Sequence, residues 1–332
     1  MPFVTFILLV ISSLAASAQE PVLVVVEKKA SQVGFYTSEG ERVAGVAVGE
    51  TPHEMVLDPD GRHLYVSDNG VLWMSYEGPG GNSVSIVDIK ERKKVGVIST
   101  GKFHRPHGMT IDPRTNRMIV TSENPDRLVL VDLKSRAVIQ DFDNGGEAPH
   151  MVMFGPQAEW VYASNTRSDT LGAVNLNTGE TKVIPIGDYP QGSALSGDGK
   201  HLYATCSDSA TIHIIDTATQ EQAGVIEAGK GVNRVAITPD QKTLVYSIGS
   251  EGKAVGFADI ATRKQTGKVD LGGSPLSISL SKDGKHAFAG VQDNDEIWVV
   301  SVDGRKVVQV IKTPEGAGPD PVMAIGPYQP PK

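Results

Sequence analysis

A chain of 332 residues with 39% hydrophobic and 21% charged side chains is too apolar to stay disordered and long enough to bury a core without disulfides. Its single cysteine excludes an internal disulfide and any zinc or iron–sulfur centre held by four thiolates, which leaves His, carboxylate, amide or Met as metal ligands. A formal charge of −8 with no long basic run argues against nucleic acid as a partner.

Residues 1–18, MPFVTFILLVISSLAASA, form an uncharged apolar run ending in Ala16-Ser17-Ala18, the pattern of a secretory signal and its small-residue cleavage site. The run lacks a basic start and is too short to span a bilayer, so no stable membrane insertion is expected. The expected mature chain is a single domain over 19–332, periplasmic or secreted, and a monomer.

Three short β-type runs follow, VLVVVE, VGFYTS and RVAGVAV, within residues 20–48. From Gly49 the chain repeats itself, with units starting at Gly49, Gly101, Gly145, Gly187, Gly229 and Gly272. Each unit has a strand such as MVLDP or MTIDP and a turn, often Asp-Gly-Lys or Asp-Gly-Arg. A second strand such as HLYVSD or HLYATC follows, then a third such as SVSIVD or TIHIID, and a fourth returns to the next Gly. Short β-branched and aromatic runs between turn signals, at a period near 42 residues and four strands per unit, predict an all-β fold, a β-propeller. The C-terminal string PDPVMAIGP matches a first strand. With the three N-terminal runs it makes a seventh four-stranded blade, closed by N-terminal outer strands and a C-terminal inner strand.

The strings HLYVSDN, NSVSIVDI and HLYATCSDSATIHIIDTAT resemble the YVTN-repeat seven-bladed propellers, the YncE-like and lactonase-like group. The resemblance covers residues 20–327 and implies the fold. That group holds enzymes and binding proteins alike, so function must be read from the site.

In a propeller the first strand of each blade lines the central channel, and its start shares a face with the loop between strands two and three. The matched positions there are His53, His107, His150, Gln191, Asn233, Leu276 and Pro321. A Pro-His pair recurs on three consecutive blades in a chain with 8 His. Neutral imidazoles on adjacent inner strands suit one divalent transition metal, Zn or Cu, held by His53, His107 and His150 with Gln191. Inheritance of a repeated unit that merely lines a wet channel explains the same pattern. Glu123, Glu77 and His104 are the candidates for proton transfer. Asp68, Asn69, Asn165, Asn233 and Arg234 are candidates for binding a substrate.

Between strands two and three of the first unit lies an insertion, VLWMSYEGPGGN. Trp73 and Tyr76 are expected as an aromatic platform over the mouth and Gly78-Pro79-Gly80-Gly81 as a hinge. His63, His201 and His286 follow the turn at the opposite end and read as surface residues. His213 reads as structural and Cys206 as a small buried hydrophobe. Two functions remain open: a metal-dependent hydrolase of lactone or ester type, or a lyase, acting on a small molecule; and a propeller that binds a ligand, a metal or a protein on its face without turnover.

Overall fold

The structure is a computed structural model that describes residues 20–330, so the expected signal over 1–18 lies outside the described residues. Seven four-stranded antiparallel sheets form a ring, a seven-bladed β-propeller with one short 3-10 turn at Gln292–Asn294. Blades 1 to 6 run consecutively. The closing blade pairs Pro319–Ala324 with Leu23–Glu27, followed outward by Gln32–Tyr36 and Arg42–Ala47. Closure by both ends of the chain agrees with the repeat pattern and leaves no unpaired inner edge. Among the described residues no helix is long and apolar enough to cross a membrane.

Alternation along the strands explains the packing. One side of each middle strand meets the next blade, as when Val24 and Phe35 of the closing blade pack with Leu64 and Val66 of blade 1. Each fully buried side chain of this size contributes about 1.5–3 kcal/mol. The outermost strands carry charge and half-exposed Val, as in Lys93–Ser99, which blunts the rim against edge pairing.

The innermost strands contain the detail that matters for function. In blades 1 to 5 their register slips near the start of the strand, between Pro52 and Met55, Pro106 and Met109, Pro149 and Val152, Pro190 and Ser193, and Val232 and Val235. Such a bulge leaves residues outside the ladder and re-aims their side chains. The first residue released in each blade is His53, His107, His150, Gln191 or Asn233. Backbone N–H groups freed by the bulge are taken up by hydroxyls of strand two: Glu54 donates to Ser67 Oγ at 2.9 Å, Gly108 to Thr121 Oγ1 at 2.9 Å, Gly192 to Thr205 Oγ1 at 2.8 Å and Arg234 to Ser247 Oγ at 3.0 Å. Hence the Ser or Thr near the end of HLYVSD, HLYATC and TLVYSI. Blade 6 departs from the pattern, since its inner strand is reduced to Ser279–Leu280 and Leu276 sits on irregular backbone.

The same hydroxyls stitch neighbouring blades at the mouth. Thr121 donates to the His150 carbonyl at 2.9 Å and Thr205 to the Asn233 carbonyl at 2.5 Å. Gly108 is required by this approach, because a Cβ there would collide with the His150 carbonyl and the Met151 backbone.

Candidate functional site

The three mouth histidines come together as the repeats predict. The His107 ring lies between the other two, with centroids 4.6 Å from His53 and 4.0 Å from His150. All three are buried, at 5–6% exposure. Burial, helped by the charges of Lys28 and Arg234, holds their pKa values well below the ordinary imidazole range, so the rings are neutral.

Each ring has one nitrogen committed to a fixed partner. His53 Nε2 lies 2.8 Å from the Val71 carbonyl, which can only accept, so Nε2 carries the proton. Nδ1 of the same ring is then a lone pair, buried and without a partner. His150 Nδ1 donates to the Gln191 carbonyl at 3.3 Å, which leaves Nε2 as its lone pair. His107 Nδ1 lies 2.7 Å from Glu123 Oε1. Burial outweighs Arg105, Arg167 and Lys28 and pushes the Glu123 carboxyl up to about 7.

The histidines line a cavity of about 340 Å³ together with Lys28, Asn69, Leu72, Trp73, Met74, Glu123, Tyr189, Gln191, Asn233, Arg234, Leu276 and Asp320. Of the sequence candidates, Asn69, Trp73, Glu123, Gln191, Asn233 and Arg234 therefore meet the histidines. Asp68 and Asn165 take structural roles just behind the wall. Asp68 accepts from Gly49 N at 2.8 Å, Ser83 Oγ at 2.7 Å and Ser85 Oγ at 2.9 Å, while Asn165 bonds Asn144 and Thr170. His104 lies outside the cavity lining, with Nδ1 3.2 Å from the Gly80 carbonyl, and Glu77 is exposed on the insertion. Tyr76 is 51% exposed beside it.

The insertion is held down by arginines that sequence reading did not single out. Buried Arg105 donates to the carbonyls of Met74, Tyr76 and Gly78, and Arg167 reaches the Met74 carbonyl at 3.1 Å. With the His53–Val71 bond they pin the loop over the histidines. Two buried ion pairs complete the channel: Arg234 of blade 5 meets Glu54 of blade 1 at 2.6 Å, and Lys28 meets Asp320 within the closing blade. Glu54 occupies the same place in its repeat as the candidate Arg234, one after the channel residue, a correspondence that points to Glu54 as well. Asp320, one residue before the Pro321 aligned from sequence, is the side chain that reaches the cavity.

His63 and His213 are held in structural contacts, and Cys206 lies in the packed interior. His63 Nδ1 lies 2.9 Å from Asp58 and His213 Nδ1 3.0 Å from Gln222. Cys206 is fully buried, and burial pushes its thiol up to about 12, which makes it a poor nucleophile.

No protein-family model matches the chain. Among curated proteins it is similar to Antigen Lp49 of Leptospira interrogans, 24% identical over 58% of this chain and 44% of that protein. It is also similar to the uncharacterized protein YncE of Salmonella typhimurium, 21% identical over 49% of this chain and 44% of that one. The matches thus span less than half the length of these relatives. Among solved structures a candidate 6-phosphogluconolactonase from Bacteroides uniformis superposes with a TM-score of 0.75 at 14% identity, over 92% of this chain and 99% of that one. These likenesses fit the YncE-like and lactonase-like seven-bladed group that the repeat strings resemble.

Proposed function

We propose that this protein is an exported propeller that holds one divalent transition ion, Zn or Cu, on His53, His107 and His150, and hydrolyses or cleaves a small molecule of lactone or ester type at the mouth. The observation that carries the reading is the set of three buried, neutral rings, each with one nitrogen engaged and His53 Nδ1 left as a buried lone pair without a partner. Fixing one ring nitrogen of each ligand histidine is how proteins orient such ligands and raise their basicity. Gln191 supplies a neutral amide beside them. The ion would supply Lewis acidity toward a carbonyl oxygen.

The chain's own groups do the rest. Glu123 orients the His107 ring and, lining the same cavity, is placed to exchange a proton with a bound molecule. Asn233 and Arg234 offer hydrogen bonds to its polar groups, and the loop pinned by Arg105 shields it from bulk water. The engagement of Glu123 by His107 favours a second reading, in which the propeller binds a metal or ligand without turnover.

Metal analysis of protein purified without a histidine tag tests the first reading. About one equivalent of transition metal is expected, lost in His107→Ala; metal-free native protein overturns it. Under the enzymatic reading Glu123→Gln keeps the metal and loses turnover against a panel of lactones and esters. Under the binding reading no turnover exists to lose.

A further inference from the structure

In six of the seven blades the residue two before the channel position has a left-handed backbone: Thr51 (φ 43°), Arg105 (φ 52°), Ala148 (φ 52°), Tyr189 (φ 55°), Gly231 (φ 86°) and, before Asp320, Gly318 (φ 62°). Blades 5 and 7 place Gly there, the residue that adopts this conformation without strain. Blades 2 and 4 place Arg and Tyr, and in both cases a Pro follows, which further disfavours that backbone for the residue before it. Retaining a bulky side chain on strained backbone where repeats of the same chain use Gly points to a use for the side chain. For Arg105 the use is visible, since it pins the loop. Tyr189 pins nothing; it lines the cavity while remaining 40% exposed.

Tyr189 and Trp73 are aromatic rings that line one cavity from blades 4 and 1, and both are part-exposed although neither packs in the core. Leu72, Met74 and Leu276 make the rest of its apolar wall. Against this wall stands Asn69, whose Nδ2 is spent on the Pro106 carbonyl at 3.2 Å and whose Oδ1 is buried without a partner. A buried orphan acceptor calls for a donor from the ligand.

We infer that Tyr189 and Trp73 form an aromatic slot for a flat ring, and that the ligand class is a phenol-like molecule whose hydroxyl donates to Asn69 Oδ1. A flat ring with a polar end matches an apolar face built from two aromatic and three aliphatic side chains beside the buried acceptor of Asn69. The inference rests on reading the mouth as a small-molecule site and is independent of the ion.

The test uses the full chain stripped of metal with EDTA, and 2-naphthol as probe, read by its fluorescence. Tighter binding of 2-naphthol than of decahydro-2-naphthol, which keeps the hydroxyl and loses the flat face, is expected, as is tighter binding than of 2-methylnaphthalene, which lacks the donor. Tyr189→Gly and Trp73→Ala should each weaken 2-naphthol about tenfold or more, in the range for loss of a stacking partner. Tyr189→Gly should melt no lower than the parent, because Gly relieves the strained backbone, so a loss of binding cannot be assigned to unfolding. Equal affinity for the flat and saturated probes, or unchanged affinity in Tyr189→Gly, overturns the inference. Metal content of the same preparations before EDTA reports separately on the histidine site: probe binding without native metal leaves this inference standing and defeats the metal reading.

Discussion

Two ends of one channel use the same residue type in opposite ways. At the turn end His63, His201 and His286 are half-buried and begin strand two. There the backbone bonds in all three, with N–H groups donating to Asp58 Oδ1, Ser196 Oγ and Ser281 Oγ at 3.0 Å each, and the His63 ring also reaches the Asp58 carboxylate. At the mouth His53, His107 and His150 are buried, neutral and released from the ladder by a bulge, and there the rings are engaged. Position within the repeat, and above all the bulge, decides whether a histidine ends a turn or faces a cavity.

The largest expected effect comes from opening the ring. Deleting residues 318–332 removes the inner strand of the closing blade, together with Asp320, and should abolish cooperative unfolding as followed by circular dichroism. A truncated protein that still melts cooperatively would show that the mouth needs no closed ring. Next comes the pair that bridges the channel. Glu54→Ala leaves Arg234 buried without its partner and should cost about 3–5 kcal/mol in chemical denaturation, with much of this recovered in Glu54→Leu/Arg234→Leu. A loss below about 1 kcal/mol would mean that the channel is wet enough to screen the pair.

The smallest effect is a pH dependence, and it sharpens the contrast between the two ends. Folded protein keeps the three mouth rings neutral well below their ordinary titration range, while the unfolded chain takes up protons once the pH drops below about 6.5. The unfolded state then binds more protons, so stability of the metal-free protein falls as the pH is lowered from 6.5. Glu123 acts in the opposite direction. Its folded pKa of about 7 exceeds the unfolded value, so between roughly 4.5 and 7 the folded state binds more protons and stability rises on acidification. Three rings outweigh one carboxyl, and Glu123→Gln should steepen the acid loss. His53→Gln should flatten the slope of melting temperature against pH.

Much of this was legible in the chain itself because propeller repeats are local. Strand order, blade closure and the convergence of the Pro-His positions follow from a period near 42 residues and a common axis. Asp68 and Asn165 looked like mouth residues because they end strand two, yet short polar side chains there satisfy backbone and neighbouring hydroxyls instead. Glu54 and Arg234 stand 180 residues apart, and only the ring brings them to 2.6 Å. The signal at Tyr189 is a backbone angle, which no alternation of apolar and polar residues reports.

Lys28 and Asp320 both line the cavity, and they lie 292 positions apart along the chain. One wall of the pocket is therefore made before the three mouth histidines during synthesis and its partner after them. A polypeptide interrupted before residue 320 carries all three mouth histidines but lacks the carboxylate opposite Lys28 and the strand that seats it. The assembled cavity therefore requires both segments of the closing blade, and a molecule that binds there reports on copies in which they have met.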